Sequence, residues 1–169
     1  MGSEMCIRDS SSGVTYVDFQ NVFTSTYDTY ELHLVGVTGT AAIGFHYLNG
    51  STPISSSNNY GRVFTYQSNS SSLQFAYGNS SYIGYWSAST QVLFSKMLIR
   101  SPLSTAGNSI QYYFHAQNTS NVNGSTPAIL TGSETSRNVS GTAANGIRVW
   151  GNTNGITGGK VTLYGIKTS

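Results

Sequence analysis

Charged residues are scarce in this chain of 169 residues, because Asp, Glu, Lys and Arg make up only 8% of it, whereas globular domains average about a quarter. Ser, Thr, Asn and Gly must therefore cover most of the surface, and a net charge of +2 gives little repulsion between copies. We expect self-association to be easy. The basic residues are scattered singly, so no stripe of cations could neutralise a run of phosphates, and we expect no nucleic-acid binding.

Cysteine and long apolar runs are also nearly absent. The single cysteine, Cys6, excludes a disulfide within the chain and a zinc site built on paired thiolates. No apolar run approaches the roughly 20 residues that span a bilayer, and no hydrophobic segment follows the first basic residue, as a secretory signal would require. We therefore predict no membrane insertion.

From about Val14 onward, apolar residues recur with a period of two, which is typical of half-buried strands. Runs such as QVLFSKMLIR and IQYYFHAQ are rich in β-branched and aromatic residues, and clusters of Gly, Asn and Ser separate them. QVLFSKMLIR is largely apolar on both faces, which predicts a central strand. The pattern predicts an all-β fold of about ten short strands with little or no helix, arranged as an antiparallel two-sheet β-sandwich, jelly-roll-like.

The length suits one domain, which we predict over residues 13–169. The Ser/Asn-rich stretches can also be interpreted as linkers between two domains. Each stretch is short and is followed at once by an aromatic or β-branched run, which favours loops within a single domain.

Groups that could support catalysis are few. Glycoside hydrolysis needs two carboxylates that flank a cleft, and Asp28 and Glu31 could form half of such a site. TSTYDTYEL is more simply a turn that leads into a strand. His33, His46 and His115 each lie in a different predicted strand, so they are either solvent-facing residues or ligands that only the fold could bring together. No GxSxG, P-loop or GxGxxG motif follows a strand. We therefore expect no enzymatic activity, no cofactor and no metal.

Aromatic residues are the most suggestive candidates for a binding site. The segment FAYGNSSYIGYW contains Tyr82, Tyr85 and Trp86, and NNYGRVFTY contains Tyr60 and Arg62. Aromatic rings stack on the apolar face of a sugar while polar groups bond its hydroxyls, so these five residues are candidates for contact with a glycan or a partner. The alternative is that they are ordinary sheet residues, since Tyr is a good strand former.

The C-terminal segment NGIRVWGNTNGITGGKVTLYGIKTS resembles the end of a family of tailed-phage virion proteins that is frequent in marine and environmental phages. Those proteins close with an Ile-rich strand, a Gly/Asn hairpin and a strand that ends in Leu-Tyr-Gly-Ile. Here Leu163, Tyr164, Gly165 and Ile166 form that ending.

The N-terminal half is similar to the same family. VDFQNVFTSTYDTYELHLVGV parallels the family's opening strand, its Phe-x-x-Ile/Val-Pro-x-x-Tyr turn and its second strand. The usual proline is absent, and Thr24 or Ser25 stands near its place. GFHYLNGSTPISSSNNYG then resembles the family's Leu-x-Phe-Asn-Gly-Asp strand and its Tyr-containing loop, with Ser51 in place of the acidic residue. Residues 68–89 match by composition alone.

The resemblance implies a non-enzymatic virion structural domain, in a tail, fibre or head appendage, located in the virion after assembly in the host cytoplasm. It implies self-assembly into a homo-oligomer, or assembly with other virion proteins, and contact with host surface glycans. The family's motifs describe its fold and imply no binding residue. The alternative from the residues alone is a secreted carbohydrate-binding module that uses an exposed platform of Tyr82, Tyr85 and Trp86.

The opening residues MGSEMCIRDS resemble a translated adapter from a common sequencing-library method. Met5-Cys6-Ile7-Arg8-Asp9 can be written ATG TGT ATA AGA GAC, which is similar to the transposase end sequence ligated in that method. We therefore predict that residues 1–12 are an artefactual or disordered tail, outside the fold. Cys6 then has no role as a nucleophile.

Overall fold

A computed structural model describes the backbone of residues 5–9, 13–39, 43–55, 60–67, 73–80, 83–86, 91–105, 110–118, 129–136, 143–151 and 155–167. It describes the side chains of residues 13–39, 43–55, 95–105, 143–151 and 155–167.

The described backbone contains strands, turns and loops and no helix. Its strands are β1 (Met5–Asp9), β2 (Tyr16–Phe19), β3 (Thr29–Gly39), β4 (Ile43–Asn49), β5 (Thr52–Pro53), β6 (Tyr60–Gln67), β7 (Leu73–Ser80), β8 (Ile83–Trp86), β9 (Gln91–Arg100), β10 (Ile110–Asn118), β11 (Ile129–Ser136), β12 (Gly146–Gly151) and β13 (Ile156–Ile166). The all-β prediction is confirmed for these residues, in which the strands number thirteen rather than about ten.

The strands form two antiparallel sheets. The larger sheet has the order β1-β13-β3-β9-β10-β11-β6-β7, and the smaller sheet has the order β2-β12-β4-β5. Strand β8 also pairs with β4, so β5 and β8 share one edge of that strand. Strand β9, which corresponds to QVLFSKMLIR, lies between β3 and β10 and is central, as predicted.

Alternating burial in β3 shows how the local pattern builds the larger sheet. Tyr30, Leu32 and Leu34 are buried, and the residues between them are partly exposed.

After Leu34 the pairing with β9 shifts at a β-bulge, where Gly36 has a φ of 64°. Gly159 of β13, with a φ of 96°, lies against the backbone of Gly36 and Val37, where a Cβ would overlap it. Both positions require a positive φ, which glycine adopts without strain. The absence of a Cβ on Gly159 also lets the backbones of β3 and β13 approach closely.

Buried side chains from both sheets belong to one hydrophobic cluster. Its members from the smaller sheet are Val17, Phe19, Ile43, Phe45, Tyr47, Ile147 and Val149. Its members from β3, β9 and β13 of the larger sheet are Tyr30, Leu32, Leu34, Val37, Met97, Ile99, Ile156, Val161 and Leu163. The inward positions of at least six strands therefore contribute to the same core.

The turn between β2 and β3 uses the backbone N–H of Thr24. The backbone N–H of Thr24 donates a hydrogen bond of 2.7 Å to the hydroxyl of Tyr30, and that hydroxyl lies 3.2 Å from the carbonyl oxygen of Thr24, to which it donates. Phe23 packs edge-on against Tyr30, with ring centroids 4.8 Å apart. Proline at position 24 would lack the N–H donor of this contact.

Residues 5–9 lie in a strand rather than in a detached segment. The backbone of β1 pairs with β13, from Met5 opposite Tyr164 to Asp9 opposite Lys160. This pairing differs from the expectation of a loosely attached tail for these five residues. The adapter origin of the segment stays a prediction.

Candidate functional site

Four of the five predicted contact residues have a described backbone, and they are divided between the two sheets. Tyr60 and Arg62 lie in β6 of the larger sheet, whereas Tyr85 and Trp86 lie in β8 on the smaller sheet. Tyr82 and the side chains of the other four lie outside the described residues. A shared platform therefore stays a prediction.

The candidate catalytic and metal-binding residues are dispersed where the structure describes them. Asp28 is exposed in the turn before β3, and Glu31 is partly buried within β3. His33 lies in β3 of the larger sheet, but His46 lies in β4 of the smaller sheet. His115 has only its backbone described, in β10. The described side chains contain no group of three that could hold a metal ion.

One polar cluster lies on the outer face of the larger sheet. The carboxylate of Glu31 is 2.8 Å from Nζ of Lys96 and 2.9 Å from Nε2 of His33. The His33 ring also packs against Tyr164 of β13, with centroids 4.9 Å apart. Partial burial alone would raise the pKa of Glu31, but the hydrogen bonds from Lys96 and His33 outweigh it and hold the pKa below its ordinary value.

Glu31→Gln is expected to make stability less dependent on pH in the acid range. Because the pKa of Glu31 is lower in the folded than in the unfolded chain, its pairing stabilises the fold fully above the ordinary value of 4.5. That contribution is lost as the pH falls through the folded pKa. Urea unfolding between about pH 3 and pH 7 measures the effect. We expect the variant to be less stable than the parent at neutral pH and to approach it at the acid end.

Lys96→Gln provides the matched control for this pH effect. It removes one of the two partners of Glu31, so the acid-dependent loss of stability should shrink without vanishing. An equal difference between parent and Glu31→Gln at every pH would contradict the assignment.

An ion pair spans β2 and β12 on the outer face of the smaller sheet. Nε of Arg148 donates to Oδ1 of Asp18 at 2.6 Å, and an Nη donates to Oδ2 at 2.8 Å. The side-chain amide nitrogen of Gln20, Nε2, donates to Oδ2 of the same carboxylate at 3.1 Å. Only 7% of the Asp18 side chain and 15% of the Arg148 side chain are exposed. The pair is thus bidentate and nearly buried.

An aromatic ring packs against the arginine of this ion pair. The guanidinium carbon of Arg148 lies 3.9 Å from the centroid of the Tyr16 ring, in cation–π contact. The hydrogen bond to Asp18, together with the charge of that residue, raises the pKa of Arg148 above its ordinary value. Tyr16 itself remains 49% exposed. Arg148 therefore supports an aromatic ring that faces solvent.

Trp150 and His46 continue the same surface. Their rings are nearly parallel, at 10°, with centroids 5.4 Å apart. A Cβ built on Gly44 would lie 2.9 Å from Cε2 and Nε1 of Trp150, so the indole lies close against the backbone there. We call this surface the Trp150 face. It consists of Tyr16, Asp18, Gly44, His46, Arg148 and Trp150.

Sequence reasoning missed the Trp150 face, although part of the signal was present. In VTYVDF and GIRVWG, polar and aromatic residues alternate with apolar ones, so Tyr16 and Trp150 could have been assigned to outward positions. Strand β2 pairs with β12, with Tyr16 opposite Trp150. That pairing joins segments far apart in the chain, and neither segment contains a signal for its partner.

No protein-family model matches the chain, and a comparison with curated proteins finds no similar sequence. In the part of the chain that the structure describes, no helix is long and apolar enough to cross a membrane.

Proposed function

We propose that this chain is a non-enzymatic structural domain of a phage virion, in a tail, fibre or head appendage. It acts by association with copies of itself or with other virion proteins, and its location is the assembled particle. The resemblance at both ends of the sequence supports this proposal. The segments that carry the resemblance are β2 and β3 at one end and β12 and β13 at the other.

Pairing of acidic groups within the chain is the observation that carries the proposal. Asp18 is bound by Arg148, and Glu31 is bound by Lys96 and His33. Asp28, the remaining acid with a described side chain, also has an interaction within the chain. Burying a charged group without a partner is costly, whereas the carboxylates of Asp18 and Glu31 already have partners. A surface of this kind loses little free energy when it packs against another copy.

We propose that the two sheets form a β-sandwich of jelly-roll-like type. The support is the single hydrophobic cluster to which β2, β4 and β12 contribute from one sheet and β3, β9 and β13 from the other. Two sheets that bury their inner faces against each other produce such a cluster.

Light scattering after size exclusion tests association directly. For the full chain between about 10 and 500 µM, we expect an apparent mass that rises with concentration towards a discrete oligomer. A mass equal to the monomer of 18.1 kDa throughout this range would contradict the proposal.

A shortened variant that begins at Gly13 tests whether residues 1–12 affect the association of the full chain. Strand β1 covers one edge of β13, so its removal exposes unpaired backbone groups there. If the full chain associates through its side-chain surface, both chains should associate. Association of the shortened chain alone would assign the effect to the open edge and contradict the proposal.

The alternative function is a carbohydrate-binding module with a platform of Tyr82, Tyr85 and Trp86. Its support is the position of β8, which pairs with β4 so that Tyr85 is opposite Gly44 and Trp86 is opposite Ile43. The smaller sheet thus brings the backbone of Tyr85 next to Gly44, over which Trp150 lies.

A further inference from the structure

The indole of Trp150 lies against the smaller sheet because Gly44 leaves room for it. Gly44 is directly opposite Trp150 in the pairing of β4 with β12. Any Cβ at Gly44 would come within 3.1 Å of three indole atoms, Nε1, Cε2 and Cζ2. Trp150 is half-buried, so part of the residue is exposed to solvent. An indole held against the backbone in this way presents an apolar surface on an otherwise polar sheet face.

Three of the four register positions in the row that contains Trp150 are aromatic residues. Tyr16 of β2 is opposite Trp150 on one side, and Gly44 is opposite it on the other. The next register position beyond Gly44 is Tyr85 of β8. Neighbouring strands are about 4.8 Å apart, so the row from β2 to β8 extends about 14 Å. That length suits an elongated ligand made of successive rings better than a single small ring.

The charge on the Trp150 face selects the chemistry of the ligand. Among its described side chains, the positive charge of Arg148 is matched by the carboxylate of Asp18 in a bidentate pair. A phosphate, a sulfate or a sialic acid would therefore find no unmatched cation on this described surface. The Tyr16 hydroxyl, the Gln20 amide and Ser51 lie at or beside the face as neutral hydrogen-bonding groups, and all three residues are exposed.

We propose that the Trp150 face binds a neutral oligosaccharide of pyranose rings, which lies across the strands and stacks on Trp150 and Tyr16. The apolar face of a pyranose ring packs on the accessible indole, and neutral groups at the rim bond its hydroxyls. Arg148 and Asp18 position the Tyr16 ring and do not bind the ligand directly. This inference does not depend on the proposed structural role, because a different measurement tests it.

Tryptophan fluorescence of the full chain tests the proposal. The chain has two tryptophans, so Trp86→Phe leaves Trp150 as the only reporter. We would titrate this variant with cellohexaose, xylohexaose, maltohexaose and chitohexaose. We expect saturable quenching or a spectral shift with at least one of them, with a dissociation constant between about 10 µM and 1 mM.

Two substitutions test the geometry of the site. Tyr16→Ala removes an exposed ring and should weaken binding roughly tenfold, with little effect on folding. Gly44→Ala should weaken binding at least as much, because its methyl group displaces the indole. Tyr164→Ala is the control, because it removes an aromatic ring from the larger sheet. Its affinity for the oligosaccharide should equal that of the parent. Thermal unfolding of each variant establishes that it is folded.

Three results would overturn the proposal. They are no binding of any of the four hexasaccharides at about 5 mM, an affinity unchanged by Tyr16→Ala, or binding of sialylated glycans alone on an array. If Gly44→Ala does not fold, Tyr16→Ala still decides the outcome. A monomer that binds sugar would contradict the structural role alone, and an oligomer that binds none would contradict this inference alone.

Discussion

Asp18→Asn is expected to lower the free energy of unfolding by about 3 kcal/mol, because it leaves the Arg148 guanidinium nearly buried without a charged partner. The variant keeps the size of the side chain but loses the carboxylate that accepts two hydrogen bonds from Arg148. Arg148 stays protonated, because an arginine side chain is not deprotonated in proteins at neutral pH. Urea unfolding at neutral pH measures the loss.

A double-mutant cycle distinguishes the ion pair from simple packing. Arg148→Met removes the opposite partner while retaining much of the apolar stem. The double variant, Asp18→Asn with Arg148→Met, should be more stable than the sum of the two single losses predicts, because no unpaired charge remains. Additive losses, or a loss below about 0.5 kcal/mol for Asp18→Asn, would contradict the importance of this pair.

Phe45→Ala is expected to cost about 4 kcal/mol, the largest effect of any single substitution considered. The Phe45 side chain is fully buried and belongs to the cluster shared by both sheets. Its truncation removes apolar contacts and leaves a cavity that the surrounding strands cannot fill by relaxing. Val35→Ala is the matched control, because Val35 is 51% exposed and should change stability by less than about 0.5 kcal/mol.

The same variant tests whether the two sheets unfold together. Phe45 belongs to the smaller sheet, whereas the Glu31 cluster belongs to the larger sheet. If both sheets share one core, near-ultraviolet and far-ultraviolet circular dichroism should report one transition at the same, lowered midpoint. Two separate transitions, of which Phe45→Ala shifts only one, would contradict the proposed sandwich.

Much of the secondary structure could be predicted because strand burial has a local signature. The YELHLVGV segment has the alternation that is typical of a half-buried strand, and Tyr30, Leu32 and Leu34 are the buried positions of β3 within it. The apolar character of both faces of QVLFSKMLIR predicted the central place of β9. A period of two needs only neighbouring residues, so it can be recognised without knowledge of the partner strands.

The aromatic residues that the sequence suggested for binding lie in other segments than the aromatic residues of the Trp150 face. Aromatic density in FAYGNSSYIGYW directed attention to Tyr82, Tyr85 and Trp86, but the described geometry identifies Tyr16 and Trp150 on the same sheet. Each of these two residues lies alone in its segment, so no local cluster marked it. Density along the chain is a poor guide to density on a sheet face, because a row of side chains across a sheet takes one residue from each strand.

The sequence by itself determined the all-β class, the scarcity of charge and the alternation that divides inward from outward residues. Only the tertiary structure decided that β2 pairs with β12, that Asp18 reaches Arg148, and that Trp150 lies over Gly44. The physical reason is that side-chain alternation follows from the geometry of a single strand, whereas pairing and register depend on which distant segments bury their apolar faces together.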